Sequence, residues 1–423
     1  MESSRITFDK WSSLAASRMG TMKRSAVRDL FAAASRSDII SLSGGMPDIK
    51  KLPLDMISRM AANTLLTEGV GALQYGGTDG RIQCRRIIAK LMEDINVQAD
   101  PAEILLTCGA QQALDLIAKA FVNPGDIVIT EGPTYIGALQ AFSAYEPRFL
   151  CVPFDDEGIR TDLLEVELKK LGKKGAKFIY TIPNFQNPGG VTMSLERRKR
   201  LLELSHEYEV PIIEDDPYGR LRFEGDDVPA LRSMDPDVIY LGTVSKVFAP
   251  GLRTGWILAP KPIIAKVNLA KQGADLCSSA LNQVMVEHYF MDTPWRETLA
   301  TLVATYKERR DAMLDALEEY FPPEATWTEP QGGFFVWVTL PRYVDTSKML
   351  SVALENGVTY VPGAGCYPDK DGFNSMRIAF CYEEPERIRE AIRRLAATIN
   401  ERLALYRAFI AADALPETKE VQR

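Results

Sequence analysis

A lysine at the carboxyl end of a buried strand is a poor choice for packing, because an unpaired ammonium is costly to bury. Lys246 stands in such a place, within Tyr240-Leu-Gly-Thr-Val-Ser-Lys-Val-Phe-Ala-Pro-Gly-Leu-Arg-Thr-Gly-Trp256, with Arg253 following in a Gly-flanked turn. Desolvation lowers a lysine's pKa and frees its nucleophilic form, which suits it to forming an imine with a carbonyl. A surface lysine ending a strand would fit the same stretch. Glu214-Asp215-Asp216-Pro217-Tyr218 closes another strand-like run with adjacent carboxylates, whose plain reading is a helix cap or a solvated end. Asn184-Phe-Gln-Asn-Pro-Gly-Gly190 ends the preceding strand in a turn, where asparagine and proline are routine. Tyr135 sits at a strand end in Glu-Gly-Pro-Thr-Tyr. Arg377 lies within an apolar strand and must find an anion there, from a protein carboxylate or from a substrate.

Histidine chemistry is thinly supplied. His206 lies in an amphipathic helical run and His288 in a second one, which argues against Ser-His-Asp catalysis and against a metal site.

The elements that must position these residues follow from the apolar pattern. From about 100 to 260, short apolar strands alternate with helices: Ile104–Gly109, Asp126–Thr130, Phe149–Phe154, Phe178–Ile182, Pro211–Asp215, Val238–Leu241 and Trp256–Leu258. Such alternation predicts an α/β fold with a mostly parallel, seven-stranded sheet between helices. Ligands gather at the carboxyl ends of strands in such sheets, where each unusual polar residue before Arg377 falls. Beyond about 295 the pattern changes. A long helix carrying Leu302, Tyr306, Arg309, Met313 and Leu317 leads to Gly332-Gly-Phe-Phe-Val-Trp337, and Ser375–Phe380 is the last clear strand. The expected division is an N-terminal arm with part of a small domain over 1–48, a large domain over 49–300, and a small α+β domain over 301–423. The arm is expected to be helical, with Leu14, Met19, Met22, Val27, Leu30 and Phe31 as its apolar positions. Two glycine-rich turns precede the sheet, one at Gly44-Gly45 and one at Gly76-Gly77 beside Tyr75.

The 423 residues are too many for one small core, and 46% apolar with 25% charged residues is ordinary for a globular chain. A net charge of −7 gives no support to a nucleic-acid-binding surface. No apolar run reaches the roughly 18 residues of a membrane span. The cysteines at 84, 108, 151, 277, 366 and 381 lie far apart, and Cys108, Cys151 and Cys381 read as small core residues. With no signal-peptide pattern at the N-terminus, the expected location is a reducing cytoplasm.

The joint order of these stretches is more specific than any one of them. It resembles the class I/II aminotransferases of pyridoxal-phosphate fold type I, in the branch of kynurenine/2-aminoadipate and aromatic or branched-chain aminotransferases. The resemblance runs from Ser41-Leu-Ser-Gly-Gly-Met-Pro47 to Arg377, and the S-K-x-x-x-P-G-L-R-x-G-W signature around Lys246 carries most of it. It implies pyridoxal 5'-phosphate held covalently by Lys246, whose freed amine then moves the substrate proton. Asp215 would pair with the pyridine nitrogen, Asn187 and Tyr218 would donate to the ring's phenolic oxygen, and Tyr135 would stack on the ring. Ala110 and Gln111 would offer amides to the phosphate, completed by Thr243, Ser245 and Arg253. Arg377 and Gly45, with Asn187, would bind the substrate's α-carboxylate. Tyr75 would reach the phosphate site of a neighbouring subunit, which implies a homodimer. The turn Asn187-Pro-Gly-Gly190 replaces the family's usual asparagine-proline-threonine-glycine, and Ala110 stands where many relatives have serine.

The expected function is therefore transfer of an amino group from an L-amino acid, aromatic, 2-aminoadipate-like or branched-chain, to a 2-oxo acid such as 2-oxoglutarate. Another pyridoxal-phosphate reaction, β-elimination or decarboxylation, shares the chemistry up to the carbanion. A ligand-sensing regulatory domain resembles the same branch, but only about forty residues precede Gly44, few for a DNA-binding domain with its linker. The aromatic residues Tyr75, Tyr135, Phe185, Phe335 and Trp337 lean toward aromatic or large aliphatic donors, or else belong to the core.

Overall fold

The structure, a computed structural model, describes residues 11–20, 22 and 38–411. In chain order its strands are β1 (Ile40–Ser41), β2 (Ile104–Thr107), β3 (Ile127–Gly132), β4 (Arg148–Asp155), β5 (Gly158–Ile159), β6 (Phe178–Thr181), β7 (Ile212–Asp215), β8 (Ile239–Thr243) and β9 (Gly255–Leu258). β10 (Thr326–Trp327), β11 (Phe335–Thr339), β12 (Val358–Thr359), β13 (Val361–Pro362) and β14 (Ser375–Ala379) follow.

Eight of them form one sheet in the order β2-β9-β8-β7-β6-β3-β4-β5. The sequence reading expected seven. The addition is β5, a two-residue strand that turns back antiparallel on β4 and is too short to leave a period in the sequence. The run β8-β7-β6-β3-β4 is parallel throughout. β9 lies antiparallel between β2 and β8, so those two strands point the same way and all the parallel strands end along one edge.

Alternation along each strand divides the sheet's faces. Tyr180, Ile213, Leu241 and Ile257 pack on one face against the Gly109–Phe121 and Lys261–Gln272 helices. Ile179 and Ile212 pack on the other, against the Leu195–Tyr208 helix. Each such fully buried aliphatic side chain stabilises the fold by about 1.5–3 kcal/mol.

The second sheet is antiparallel, in the order β10-β11-β14-β13. It packs with the Trp295–Tyr320 and Pro385–Ala411 helices in one large core. Leu302, Tyr306, Arg309, Met313 and Leu317 all lie on the buried side of the long helix, as their spacing requires. β1 pairs in parallel with β12 in a separate two-stranded sheet and thereby ties the chain before Gly44 to the segment between β11 and β13.

One further expectation changes, that for Cys108, and another, the helical arm, falls largely outside the described residues. Over the described residues the N-terminal arm is a pair of 3-10 turns, Ser12–Leu14 and Ser17–Gly20, with Leu14, Met19 and Met22 exposed. Val27, Leu30 and Phe31 lie outside the described residues. Cys108 is exposed at the start of a helix, because the apolar run ends one residue earlier, at Thr107. Cys381 is buried as expected and Cys151 partly so.

Candidate active site

The edge where the parallel strands end collects most of the expected residues. Lys246 lies just past β8, and its Nζ donates to the Gly45 carbonyl at 2.8 Å. The Phe334 and Tyr218 rings stand 5.3 and 5.9 Å from the amine. Burial pushes its pKa down to about 8, helped by the charges of Arg377 and Arg253 and opposed by Cys381. The neutral, nucleophilic amine is therefore reached closer to neutral pH than in water.

Asp215 is the last residue of β7 and is buried. Its Oδ2 accepts the Tyr180 hydroxyl at 2.7 Å, while Oδ1 has no partner. Burial pushes its pKa up to about 7; the Tyr180 hydrogen bond works against that rise and the Asp216 charge adds to it. Its neighbour Glu214 points to the other face and accepts from the amides of Leu231 and Arg232 at 2.9 and 2.8 Å. The plain reading of this acidic pair, a helix cap, thus describes Glu214 and not Asp215.

Arg377 sits in the middle of β14, directly across from Trp337 on β11 and Val361 on β13. It donates to Asn187 Oδ1 at 2.9 Å and to the Ser43 carbonyl at 2.8 Å, while its buried Nε has no partner. The Phe335 ring lies 4.1 Å from the guanidinium carbon, a cation–π contact that fixes its plane. A Cβ on Gly45 would come within 2.5 Å of the same ring, so only glycine fits there. Asn187 reaches the other way as well, with Nδ2 3.5 Å from the Tyr218 hydroxyl.

A candidate anion site adjoins this group. The Gly109–Phe121 helix begins without a side-chain cap, so its first-turn amides, among them those of Ala110 and Gln111, lack partners within the helix. Arg253, in a left-handed conformation with φ of 49°, lays its guanidinium over Gly109, where a Cβ would meet Nη2 at 2.5 Å. The Thr243 and Ser245 hydroxyls are 2.9 Å apart beside it. All three elements converge on Gly255, which lies opposite both Thr107 and Thr243 and would place a Cβ 2.8 Å from the Ala110 nitrogen. Tyr135 closes this side, its hydroxyl 3.3 Å from Gln111 Oε1. Tyr75 makes no hydrogen bond or ring contact with the group; it is 80% exposed in the loop after the Leu54–Ala72 helix.

These residues fit a phosphorylated pyridine aldehyde. The uncapped helix end with Arg253 suits a phosphate, and Lys246 suits the aldehyde. The free oxygen of Asp215 suits a protonated ring nitrogen. Fold and fit together place the chain among the pyridoxal-phosphate enzymes of fold type I.

Comparison with known proteins narrows this. The family profile of aminotransferase class I and II matches residues 37–395. Aromatic-amino-acid aminotransferase 1 of Thermococcus litoralis is 47% identical over 387 residues, covering 90% of this chain and 93% of the relative. The 2-aminoadipate transaminase of Thermus thermophilus is 38% identical over 400 residues, covering 93% and 98%. Among solved structures, the kynurenine aminotransferase of Pyrococcus horikoshii in complex with PMP superposes with a TM-score of 0.89 at 44% identity, covering 93% and 99%. The chain belongs to the class I and II aminotransferases, and its cofactor is pyridoxal 5'-phosphate.

Three residues that bear on the site escaped the sequence reading. Tyr180 holds Asp215. Glu131, at the end of β3, accepts from Thr181, from the Ile182 amide and from Gln186, and so anchors the loop that carries Asn187. Cys381 donates its thiol to the Gly44 carbonyl at 3.4 Å, beside the carbonyl that receives Lys246. A charged residue inside the apolar run before Gly132 was the one available signal for Glu131. Nothing marks Tyr180 or Cys381 apart from core residues.

Proposed function

We propose that the chain moves the amino group of an aromatic or large apolar L-amino acid to a 2-oxo acid, with 2-oxoglutarate as the first acceptor to test. One observation carries the donor class. The buried guanidinium of Arg377 is set among Phe335, Trp337 and Val361, so a carboxylate bound there leaves its side chain in apolar and aromatic surroundings. The names of the similar proteins from Thermococcus litoralis and Pyrococcus horikoshii, an aromatic-amino-acid and a kynurenine aminotransferase, support the same class.

Pyridoxal phosphate, when bound, supplies the covalent attachment and the electron sink that make the substrate's Cα–H acidic. The residues of this chain do the rest. Arg377, held flat by Phe335, takes the α-carboxylate, with the Gly45 backbone and Asn187 beside it. With the substrate clamped there, the Lys246 amine, at a lowered pKa, would be the group that takes the Cα proton and hands it on to the bound cofactor. Asp215 keeps the ring nitrogen protonated through its free oxygen. Tyr218 and Asn187 donate to the phenolic oxygen, and Tyr135 covers the ring. The amides of Ala110 and Gln111, with Thr243, Ser245 and Arg253, hold the phosphate.

Tyr75 serves the site of a second copy. Leu66 and Val70 on the Leu54–Ala72 helix are exposed at 86% and 92%, and Leu65 and Leu73 lie beside them. An exposed apolar stripe of this kind marks an interface, and it leads directly into the loop of Tyr75. The working form is accordingly a homodimer. No helix among the described residues is long and apolar enough to cross a membrane.

The test is a donor screen of the pyridoxal-phosphate-loaded protein with 2-oxoglutarate. Phenylalanine, tyrosine, kynurenine and leucine are expected to exceed aspartate by at least about tenfold in kcat/KM. A preference for aspartate would overturn the donor class, and ammonia release without keto-acid consumption would point to elimination. Sedimentation of the wild type and of Val70→Asp reads the dimer, with the variant expected to be monomeric and inactive.

A further inference from the structure

We propose that Tyr180 is a positioning residue of the cofactor site. Its hydroxyl pins one oxygen of Asp215 so that the other is presented to the protonated ring nitrogen of the cofactor. The proposal rests on the pairing of Asp215 with that nitrogen argued above.

Tyr180 occupies the centre of the large sheet. Its strand, β6, is bonded on one side to Thr130 of β3 and on the other to Ile213 of β7, so its backbone is held from both sides. The side chain is fully buried, with its ring edge-on to Phe142 at 5.5 Å and 84°. From this fixed ring the hydroxyl donates to Asp215 Oδ2 at 2.7 Å. The terminal torsion of an aspartate is soft and nearly two-fold, so an unheld carboxylate swings. One hydrogen bond from a rigid donor removes that freedom and leaves Oδ1 buried with no partner. Burial and the nearby Asp215 charge hold the phenol protonated, so Tyr180 stays a donor. The same hydrogen bond opposes the rise in Asp215's pKa that burial causes, and so favours the anion that the ring nitrogen needs.

Packing alone does not require the oxygen. The ring meets Phe142, which in turn meets Phe178, and a phenylalanine at 180 would complete this apolar cluster equally well. Tyr180→Phe therefore removes the donor and keeps the ring.

The experiment measures the dissociation constant of pyridoxal phosphate for wild type, Tyr180→Phe, Asp215→Asn and the double variant, by absorbance across pH, with circular dichroism confirming the fold. Tyr180→Phe is expected to weaken cofactor binding by about tenfold, the worth of a hydrogen bond to a charged group. The acid limb of its affinity profile should move up by about one pH unit, because a carboxylate that has lost its donor protonates sooner as pH falls. The KM values for both substrates should stay at the wild-type level, since Arg377 is untouched. In the Asp215→Asn background the tyrosine change should add nothing. Unchanged affinity and an unchanged acid limb in Tyr180→Phe would overturn the proposal, as would an equal penalty in the Asp215→Asn background. A wild type that takes up no cofactor would overturn the site assignment itself, and this proposal with it.

Discussion

Three pairs of charged residues, all buried but the half-buried Lys246, divide the molecule into a region that is electrostatically finished and one that is not. Glu214 and Asp215 are neighbours on β7, both buried, with both pKa values pushed up to about 7 chiefly by burial. Glu214 spends both oxygens on the amides of Leu231 and Arg232, whereas Asp215 keeps one free. Arg198 and Arg377 are both buried arginines. Arg198 donates from Nε, Nη1 and Nη2 to backbone carbonyls and to Asn184, while Nε of Arg377 has no acceptor. Lys271, fully buried, reaches both oxygens of Asp275, but Lys246 has only a carbonyl. Within the acidic pair, neither burial nor a raised pKa separates the structural carboxylate from the one at the candidate site. Within these pairs spare hydrogen-bonding capacity marks the candidate site, because a buried polar atom without a partner is expensive unless a ligand completes it. The mark is not exclusive, since Nε of the structural Arg309 is unpartnered too.

Lys246→Ala should have the largest effect, a fall in turnover of roughly 10^3-fold or more with the fold retained, read by steady-state kinetics and circular dichroism. Next comes the acidic pair. Asp215→Asn should lower kcat by about 10^2-fold. Glu214→Gln should leave kcat within about twofold and instead cost about 1–3 kcal/mol of stability in urea titration, since the amides of Leu231 and Arg232 lose an ionised acceptor. The reverse pattern would dissolve the comparison. For the arginines, Arg377→Lys should raise the donor KM by about thirtyfold through loss of the planar fork, while Arg198→Lys should lower the melting temperature and spare KM.

The smallest effect is one of pH on the cofactor-free protein. Asp215, Glu131 and Glu214 have folded pKa values raised to about 7 from 3.8, 4.5 and 4.5. Between those limits the folded state binds protons that the unfolded chain does not. Their contribution to stability is therefore present below about pH 4 and is lost as pH rises to about 7. Asp215→Asn should flatten this slope in urea midpoints measured across that range, and an unaltered slope would remove Asp215 from the set.

How much of this the sequence showed depends on where each residue's partners come from. Lys246 and Arg253 were legible because a single turn holds them both, and Arg377 because a guanidinium inside an apolar strand needs explaining. The large sheet was legible from apolar runs, and β5 was not, since two residues carry no period. Tyr180 was invisible for a different reason. In an apolar strand a tyrosine reads as core, and only the β6-β7 register brings its hydroxyl to Asp215. Phe185, for which the sequence leaves pocket and core open, is fully buried, wedged against Gly332 and Gly333. Phe335, left open likewise, holds Arg377 flat. Aromatic content alone does not separate those two roles.

Gly255 sets the spacing of the anion site in a way that side chains cannot alter. The backbone of Gly109 and Ala110 rests on it from one side and the carbonyl of Gly242 from the other, each within 3 Å of where a Cβ would be. The gap between the helix that is to hold the phosphate and the strand that leads to Lys246 is therefore gauged by main chain against main chain. Mutation elsewhere can reshape the walls of this pocket and retune its donor without changing that distance. A relative sharing fewer than half its residues can thus keep the same cradle, and a single methyl group at position 255 would break it.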